Sequence, residues 1–119
     1  MARTRDPRDL LPLTPALFQV LIALADGEQH GYAILKDIEQ RTEGAVRLST
    51  GTLYGIIKRL LTEGLIAERS TPSPPGHDER RRSYRLTPFG RAVALAETER
   101  LERDAALARA TRALRLRHT

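Results

Sequence analysis

One short stretch, "RLSTGTLYGIIKRLLTEGLI" at residues 47–66, places small polar side chains just before an apolar repeat. The positions with chemistry to offer are Ser49, Thr50, Gly51, Thr52, Tyr54 and Lys58. Hydroxyl and ammonium groups donate hydrogen bonds, and the first turn of a helix adds free backbone N–H groups and partial positive charge. Phosphate is a natural ligand for such a turn. The stretch therefore predicts a helix whose first turn faces a negatively charged partner.

The same stretch also predicts how that helix is held. Its core-facing stripe, at helical spacing, consists of Leu53, Ile56, Ile57 and Leu60. Ser49 is a suitable N-cap and Gly64 is a stop signal. Gly51 and Gly55 leave a low ridge that could press into a groove. A plainer alternative stays open, in which Ser49 only caps, the glycines only allow close helix packing, and Tyr54 is half-buried core.

Basic residues are concentrated in two other places. The net charge is +5 and the sequence pI is about 10.4, with arginines crowded at 3, 5 and 8 and at 80, 81, 82 and 85. Side chains alternate along a strand, so Arg81, Ser83 and Arg85 are predicted on one face, with Tyr84 and Leu86 towards the core. Arg81 and Arg85 would then reach solvent or a phosphate backbone. Surface pairing with Asp78, Glu79 or Glu68 is the alternative.

The elements that must position these groups follow from local signals. Residues 1–13 are predicted to form a flexible basic arm. Thr14 and Pro15 begin a first helix, which ends at Asp26-Gly27, and "HGYAILKDIEQRTEG" is a second helix. The stretch at 47–66 gives the third helix. "LIAERS" and "RRRSYRLT" form a hairpin around a proline-rich tip, and Thr87 begins a helix of about 25 to 28 residues.

This order predicts a mainly α (α+β) fold, a winged helix-turn-helix at residues 14–87 whose wing spans about residues 65–87. Residues 88–119 form a long C-terminal helix that the domain is too small to cover. Its broken apolar stripe consists of Leu95, Leu101, Ala105, Ala108 and Leu114. A second copy of the chain is the expected cover, which makes this the dimerisation helix and the protein a homodimer.

The sequence offers no support for an enzyme. There is no Cys, the three His are scattered, and neither a metal-ligand spacing nor a phosphate-binding Gly-rich loop occurs. No catalytic residues, no metal and no cofactor are therefore expected. Without a signal-peptide pattern or a membrane-length apolar run, we expect a cytoplasmic protein with no membrane partner.

Several motifs together resemble the PadR family of bacterial transcriptional regulators. They are His30-Gly31-Tyr32, Gly51-Thr52-Leu53-Tyr54, Gly64-Leu65-Ile66 and Tyr84-Arg85-Leu86-Thr87 with Gly90, in the family's order and spacing from about Leu13 to Val93. The length is similar to that of the compact branch, which has a single C-terminal helix. Thr50 stands where many members have Pro, and the wing tip "STPSPPGH" departs from the family pattern.

The resemblance implies a homodimeric repressor that binds an inverted-repeat operator in double-stranded DNA. Recognition-helix contacts carry over onto Ser49, Thr50, Thr52, Tyr54 and Lys58. It also implies a small apolar or aromatic effector for some members, for which Phe18 and Phe89 are the candidates here, with core packing as the alternative. Two other functions stay open: a winged-helix module for protein contacts, and a ligand-sensing dimer in which DNA binding is secondary.

Overall fold

The computed structural model describes residues 5–71 and 81–115, with the side chains of Thr71 and Arg81 left out. Its elements are α1 (Pro15–Ala25), β1 (Gln29–His30), α2 (Gly31–Arg41), α3 (Thr50–Thr62), β2 (Ile66–Thr71), β3 (Arg81–Leu86), α4 (Pro88–Ala110) and α5 (Arg112–Arg115). A short 3-10 helix at Pro7–Leu10 precedes them. The predicted winged helix-turn-helix with a long C-terminal helix is confirmed, because three helices and the two wing strands occur in the expected order.

The helices begin where the sequence predicts. Thr14, Ser49 and Thr87 each accept a hydrogen bond at the side-chain oxygen from the backbone N–H three residues later. Each bond satisfies one of the N–H groups that have no partner within the helix. Gly44 and Gly64 follow α2 and α3 with φ of 81° and 77°, a left-handed conformation that glycine adopts without steric cost.

The sheet has one strand more than the predicted hairpin. β3 lies in the middle of the order β1-β3-β2 and pairs antiparallel with both neighbours. β1 was missed because it has only two residues and no apolar alternation; its pairing comes from β3, more than fifty positions away. The prediction that Ser83 shares a solvent face with Arg81 and Arg85 is wrong for Ser83, which is buried together with Tyr84.

One core joins the helices to the sheet. It contains Leu17, Val20, Leu21, Ala23 and Leu24 of α1, with Ile34, Ile38, Leu53, Ile57, Leu60, Leu65, Ile66, Tyr84 and Val93. The predicted stripe of α3 lies in this core, except that Ile56 is only partly buried. The apolar side of α3 is therefore buried in the core, and its polar side does not contribute to that core.

The C-terminal helix is shorter than predicted. α4 covers 23 residues and ends at Ala110, after which Thr111 is extended and α5 adds one turn. Only the first part of α4 meets the core, at Gly90, Val93 and Glu97. Residues 116–119 of the predicted helix lie outside the described residues.

The N-terminal segment makes contacts that the sequence did not predict. Within the predicted flexible arm, the 3-10 helix packs against α4, and Leu10, Leu11 and Leu13 lie against the core. Pro7 and Pro12 prevent an α-helix but leave room for this short turn. Asp6 caps the turn by accepting a hydrogen bond from the Arg8 N–H. Residues 1–4 lie outside the described residues, so for them the arm stays a prediction.

Candidate nucleic-acid interface

The first turn of α3 is built by Ser49. Its Oγ accepts a hydrogen bond from the Thr52 N–H at 3.1 Å and donates one to the Thr52 Oγ1 at 2.9 Å. Both side chains are exposed, as are Thr50 and Gly51 beside them. Ser49 therefore caps the helix and holds a cluster of hydroxyls on the surface at the positive end of the helix dipole.

The outer face of α3 extends this cluster along the helix. Tyr54, Gly55 and Lys58 are all exposed, while Leu53 and Ile57 on the other face are 0% and 2% exposed. A Cβ added at Gly51 or Gly55 would meet nothing within 4 Å. The glycines therefore do not serve close packing against the described part of the chain, which was one of the alternatives. They form a low, open ridge flanked by Tyr54 and Lys58.

Tyr54 also supports the start of α2. A Cβ at Gly31 would lie 2.5 Å from the Tyr54 hydroxyl oxygen, so only glycine allows the ring to sit there. Tyr54 is nevertheless 46% exposed. The ring thus packs on α2 with one edge and faces solvent with the other, which combines the two roles considered for it.

Two residues of α2 join this surface and were not predicted to belong to it. Tyr32 is 67% exposed, and the Lys36 ammonium lies 5.5 Å from the centre of its ring. They stand one turn apart, close to the Gly31 that contacts Tyr54. The sequence feature that could have indicated this pair is Tyr32 itself, a bulky aromatic residue directly after the glycine at the start of α2 and on the polar side of that helix.

The arginines of the wing are divided between the two faces of the sheet. Arg82 lies on the face of Tyr84 and Glu68, and its guanidinium is 3.8 Å from the Glu68 carboxylate. Burial, followed by the charges of Glu68 and Tyr54, raises the pKa of Tyr84, whereas Arg82 lowers it. Of the two β3 arginines whose side chains the structure describes, Arg82 and Arg85, Arg82 is therefore the one on the same side as the Tyr54 of α3.

Arg85 lies on the opposite face. There it is exposed and lines a groove of about 380 Å³ with Leu24, Pro88 and Arg91. Arg81 begins β3 on the same strand face as Arg85, but its side chain lies outside the described residues. The structure therefore brings the α3 candidates together and leaves Arg85 apart from them.

Glu28 fixes this second face of the wing. Its Oε2 accepts hydrogen bonds from the Ser83 hydroxyl at 2.6 Å and from the Arg69 guanidinium at 2.7 Å. These two bonds, Ser83 first, lower the pKa of Glu28. They explain why Ser83 is buried, and they tie β2 and β3 to the loop that follows α1.

The two effector candidates lie in different environments. Phe18 lines a groove of about 430 Å³ between α1 and the second half of α4, with Leu101 and Ala105. Phe89 packs against the core, and the Arg5 guanidinium lies 4.6 Å from the centre of its ring. The structure therefore does not bring the two rings into one pocket.

In the two described ranges, 5–71 and 81–115, no cluster of three or more His, Asp or Glu could hold a metal ion. No helix there is long and apolar enough to cross a membrane.

Comparison with known proteins matches this architecture to one family. The model of the transcriptional regulator PadR-like family matches residues 20–96, which include α2, α3 and the wing. The chain belongs to the PadR-like family. The expected resemblance is thereby confirmed over most of the chain.

Two related sequences differ in how far they extend beyond the match. An uncharacterized protein in a transposon of Streptomyces fradiae is 43% identical over 84 residues, which is 71% of this chain but only 22% of that protein. A transcriptional regulator of Mycobacterium tuberculosis is 32% identical over 83 residues, covering 70% of this chain and 72% of the relative.

Solved structures share the fold. A transcriptional regulator from Clostridium thermocellum superposes with a TM-score of 0.66 at 28% identity, over 76% of this chain and 84% of that one. Bacillus subtilis PadR in complex with operator DNA gives a TM-score of 0.62 at 23% identity, over 76% of this chain and 48% of that one. The matched family and the Mycobacterium tuberculosis relative are both described as transcriptional regulators.

Proposed function

We propose that this PadR-like protein represses transcription by binding an inverted-repeat operator as a homodimer. The observation that carries the proposal is the outer face of α3. Four exposed small residues at a capped helix N-terminus are followed by an open glycine ridge between Tyr54 and Lys58. Hydroxyls and free N–H groups suit phosphates and base edges, and a low ridge suits the major groove.

The contacts we propose follow from this geometry. Ser49, Thr50, Gly51 and Thr52 meet the DNA first, and Tyr54 and Lys58 stand beside them. Of the wing arginines, Arg81 stays a proposed phosphate contact. Arg85 is a weaker candidate than its neighbour Arg82, because Arg85 lies on the sheet face away from Tyr54. Bacillus subtilis PadR, which shares the fold, was solved in complex with operator DNA, and this supports DNA as the partner.

The proposed dimer uses the second half of α4. Leu101 is 40% exposed, and it shares a side of the helix with Ala105 and Ala108 next to the groove at Phe18. A second copy of α4 would cover this side. Two α3 helices related by a two-fold axis would then reach half-sites about 34–36 Å apart, one turn of DNA.

The test is binding to DNA from upstream of the protein's own gene, measured by gel shift and fluorescence anisotropy at several salt concentrations. A sequence-selective complex that competitor DNA does not remove is expected. Lys58→Ala should weaken it and reduce the salt slope by about one, the effect of one lost phosphate contact. The melting temperature should not change, because Lys58 is exposed.

Arg91→Ala is the matched control. It removes one positive charge from an exposed residue that lines the groove on the far sheet face. If Lys58→Ala and Arg91→Ala weaken binding equally, α3 is not the reading helix. If the wild-type protein forms no selective complex, a winged-helix protein module becomes the better interpretation.

A small apolar effector is part of the proposal only at Phe18. The groove there lies where the second copy would dock, so a compound bound in it would change how the two α3 helices are spaced. A thermal-shift screen of aromatic compounds tests this. Stabilisation that Phe18→Ala abolishes and Phe89→Ala preserves would support it, and flat results across the screen would contradict it.

A further inference from the structure

The N-terminal segment, residues 5–13, touches two parts of the molecule that have different proposed tasks. At one end it contacts the last turn of α3, the reading helix. At the other end it lies along α4, the proposed dimerisation helix. Within the described residues, these contacts connect the two helices through a separate stretch of chain rather than only through the shared core.

Arg5 makes the contact with α3. One guanidinium nitrogen donates to the backbone carbonyl of Glu63 at 2.5 Å, and the other donates to its carboxylate at 3.0 Å. The last carbonyls of a helix lack partners within the helix and carry partial negative charge, so a cation is favourable there. The face of the same guanidinium lies over Phe89 at the start of α4. Arg5 therefore clamps the end of α3 to the beginning of α4.

The contact of the segment with α4 is made at Glu97, a residue of that helix. Its side chain is 1% exposed, and Oε2 accepts a hydrogen bond from the Leu13 N–H at 2.8 Å. Arg100 donates to Oε1 at 2.5 Å and balances the charge. A buried carboxylate is costly unless it is paired and bonded, so its position specifies where residue 13 must lie on α4.

We infer that residues 5–13 are a strap that sets the angle of the reading helix relative to the C-terminal helix, and that Arg5 is its positioning residue. The inference rests on the proposed function, because an angle between these helices matters when two α3 helices must fit two half-sites. Arg5 acts through Glu63 and does not touch DNA.

The alternative is a basic arm that follows the phosphate backbone. The position of Arg5 argues against such a phosphate contact for this residue. The Glu63 contact is at the C-terminal end of α3, about 20 Å along a 13-residue helix from the exposed hydroxyls of its first turn. Both ends of the Arg5 guanidinium are also occupied by Glu63, which leaves its charge neutralised.

The experiment compares Arg5→Gln with Arg8→Gln in the full chain. Arg8 is in the same segment and has the same charge, but among the described residues its guanidinium pairs with Asp6 alone, and its side chain is 75% exposed. DNA affinity is measured for operators with the native half-site spacing and with one base pair inserted. Arg5→Gln should reduce the preference for native spacing by about threefold, which loss of one surface ion pair can produce. Arg8→Gln should leave it unchanged.

Two further measurements separate the alternatives. The salt slope of Arg5→Gln should equal that of the wild type; a slope reduced by about one would show a phosphate contact and overturn the strap. Amide hydrogen exchange at residues 63–65, without DNA, should be faster in Arg5→Gln than in Arg8→Gln. Equal exchange would also overturn the strap. Because that measurement needs no DNA, it remains decisive even if the proposed DNA binding fails.

Discussion

α3 and α4 both carry apolar side chains, but they differ in what covers them. The apolar stripe of α3 is enclosed by its own chain, with Leu53, Ile57 and Leu60 at most 2% exposed. α4 exposes Leu95 at 58%, Leu101 at 40% and Leu107 at 69%. The polar side of α3 and the side of α4 that carries Leu101 are therefore the two surfaces that the fold itself does not explain.

Under the proposed function, this difference assigns DNA reading to α3 and assembly to α4. A helix whose apolar stripe is complete can be exposed on its polar face without loss of stability. A helix with uncovered leucines gains from a second copy, because burial of apolar surface stabilises by about 25 cal/mol per Å². Substitutions on the two helices should accordingly have opposite consequences for folding and for assembly.

The largest expected effect is on folding through α3. Leu53→Ala should lower the free energy of unfolding by about 2–5 kcal/mol, because it leaves a cavity at a side chain that is 0% exposed. Urea denaturation monitored by circular dichroism measures it. Leu101→Glu on α4 should change unfolding at low protein concentration far less, and should instead turn dimers into monomers in analytical ultracentrifugation.

Leu95→Glu is the control for that assembly effect. Leu95 is also exposed, but six residues away it lies about 120° around the helix from Leu101, on another side. It should leave the dimer intact. Monomers from both variants, or from neither, would contradict a dimer built on the side of α4 that carries Leu101.

A smaller effect is expected at the one buried charge of α4 in the described part of the chain, Glu97. The Arg100 hydrogen bond, with a further bond from the Leu13 N–H, lowers the pKa of Glu97 despite its burial. A carboxylate whose pKa is lowered in the folded state stabilises the fold at pH values above its ordinary pKa of about 4.3. This stabilisation is lost as the pH falls through the folded-state pKa.

Glu97→Gln should therefore lower the free energy of unfolding by about 1.5–3 kcal/mol at neutral pH, the value of a charged hydrogen bond. Below about pH 4.3 the difference between wild type and variant should shrink. Urea unfolding at pH 7 and pH 3.5 measures this. A difference that stays constant with pH would mean that the charge of Glu97 does not contribute. Glu102→Gln, at an exposed position of the same helix, is the matched control.

The features that were predicted correctly from the sequence depend on residues that lie close together in the chain. Thr14, Ser49 and Thr87 cap their helices through bonds that span three positions, and Gly64 ends α3 through its own backbone angle. The apolar spacing of α3 fixed which side faces inward, so the position of its exposed polar groups followed as well. The candidate residues of α3 could therefore be selected before the fold was known.

What the sequence did not predict depends on distant partners. The expected exposure of Ser83 was wrong, although the alternation held: Ser83 lies on the same strand face as Arg85, but Glu28 supplies a bond to it across 55 positions. β1 depends on pairing with β3, and the strap on contacts between Arg5 and Glu63 and between Leu13 and Glu97. No local pattern encodes such pairs, so the N-terminal residues were interpreted from their charge and their prolines.

The smallest effect, and the sharpest test of the outer face of α3, is expected at Gly55. Because a Cβ there meets nothing within 4 Å, Gly55→Ala should stabilise the fold by about 0.5–1 kcal/mol through better helix propensity. DNA affinity should nevertheless fall, since the methyl group raises the ridge proposed to enter the groove. Urea unfolding and fluorescence anisotropy on the same preparation measure the two changes.

Gly90→Ala shows what a glycine needed for packing does instead. Its Cβ would lie against the Leu65 backbone carbonyl, too close for any side chain, so this variant should lose stability. A gain in stability for Gly55→Ala and a loss for Gly90→Ala would distinguish a glycine on an open contact surface from a glycine needed for packing. If Gly55→Ala gains stability and binds operator DNA as tightly as the wild type, the groove does not reach the middle of α3, and only its first turn, from Ser49 to Thr52, reads the DNA.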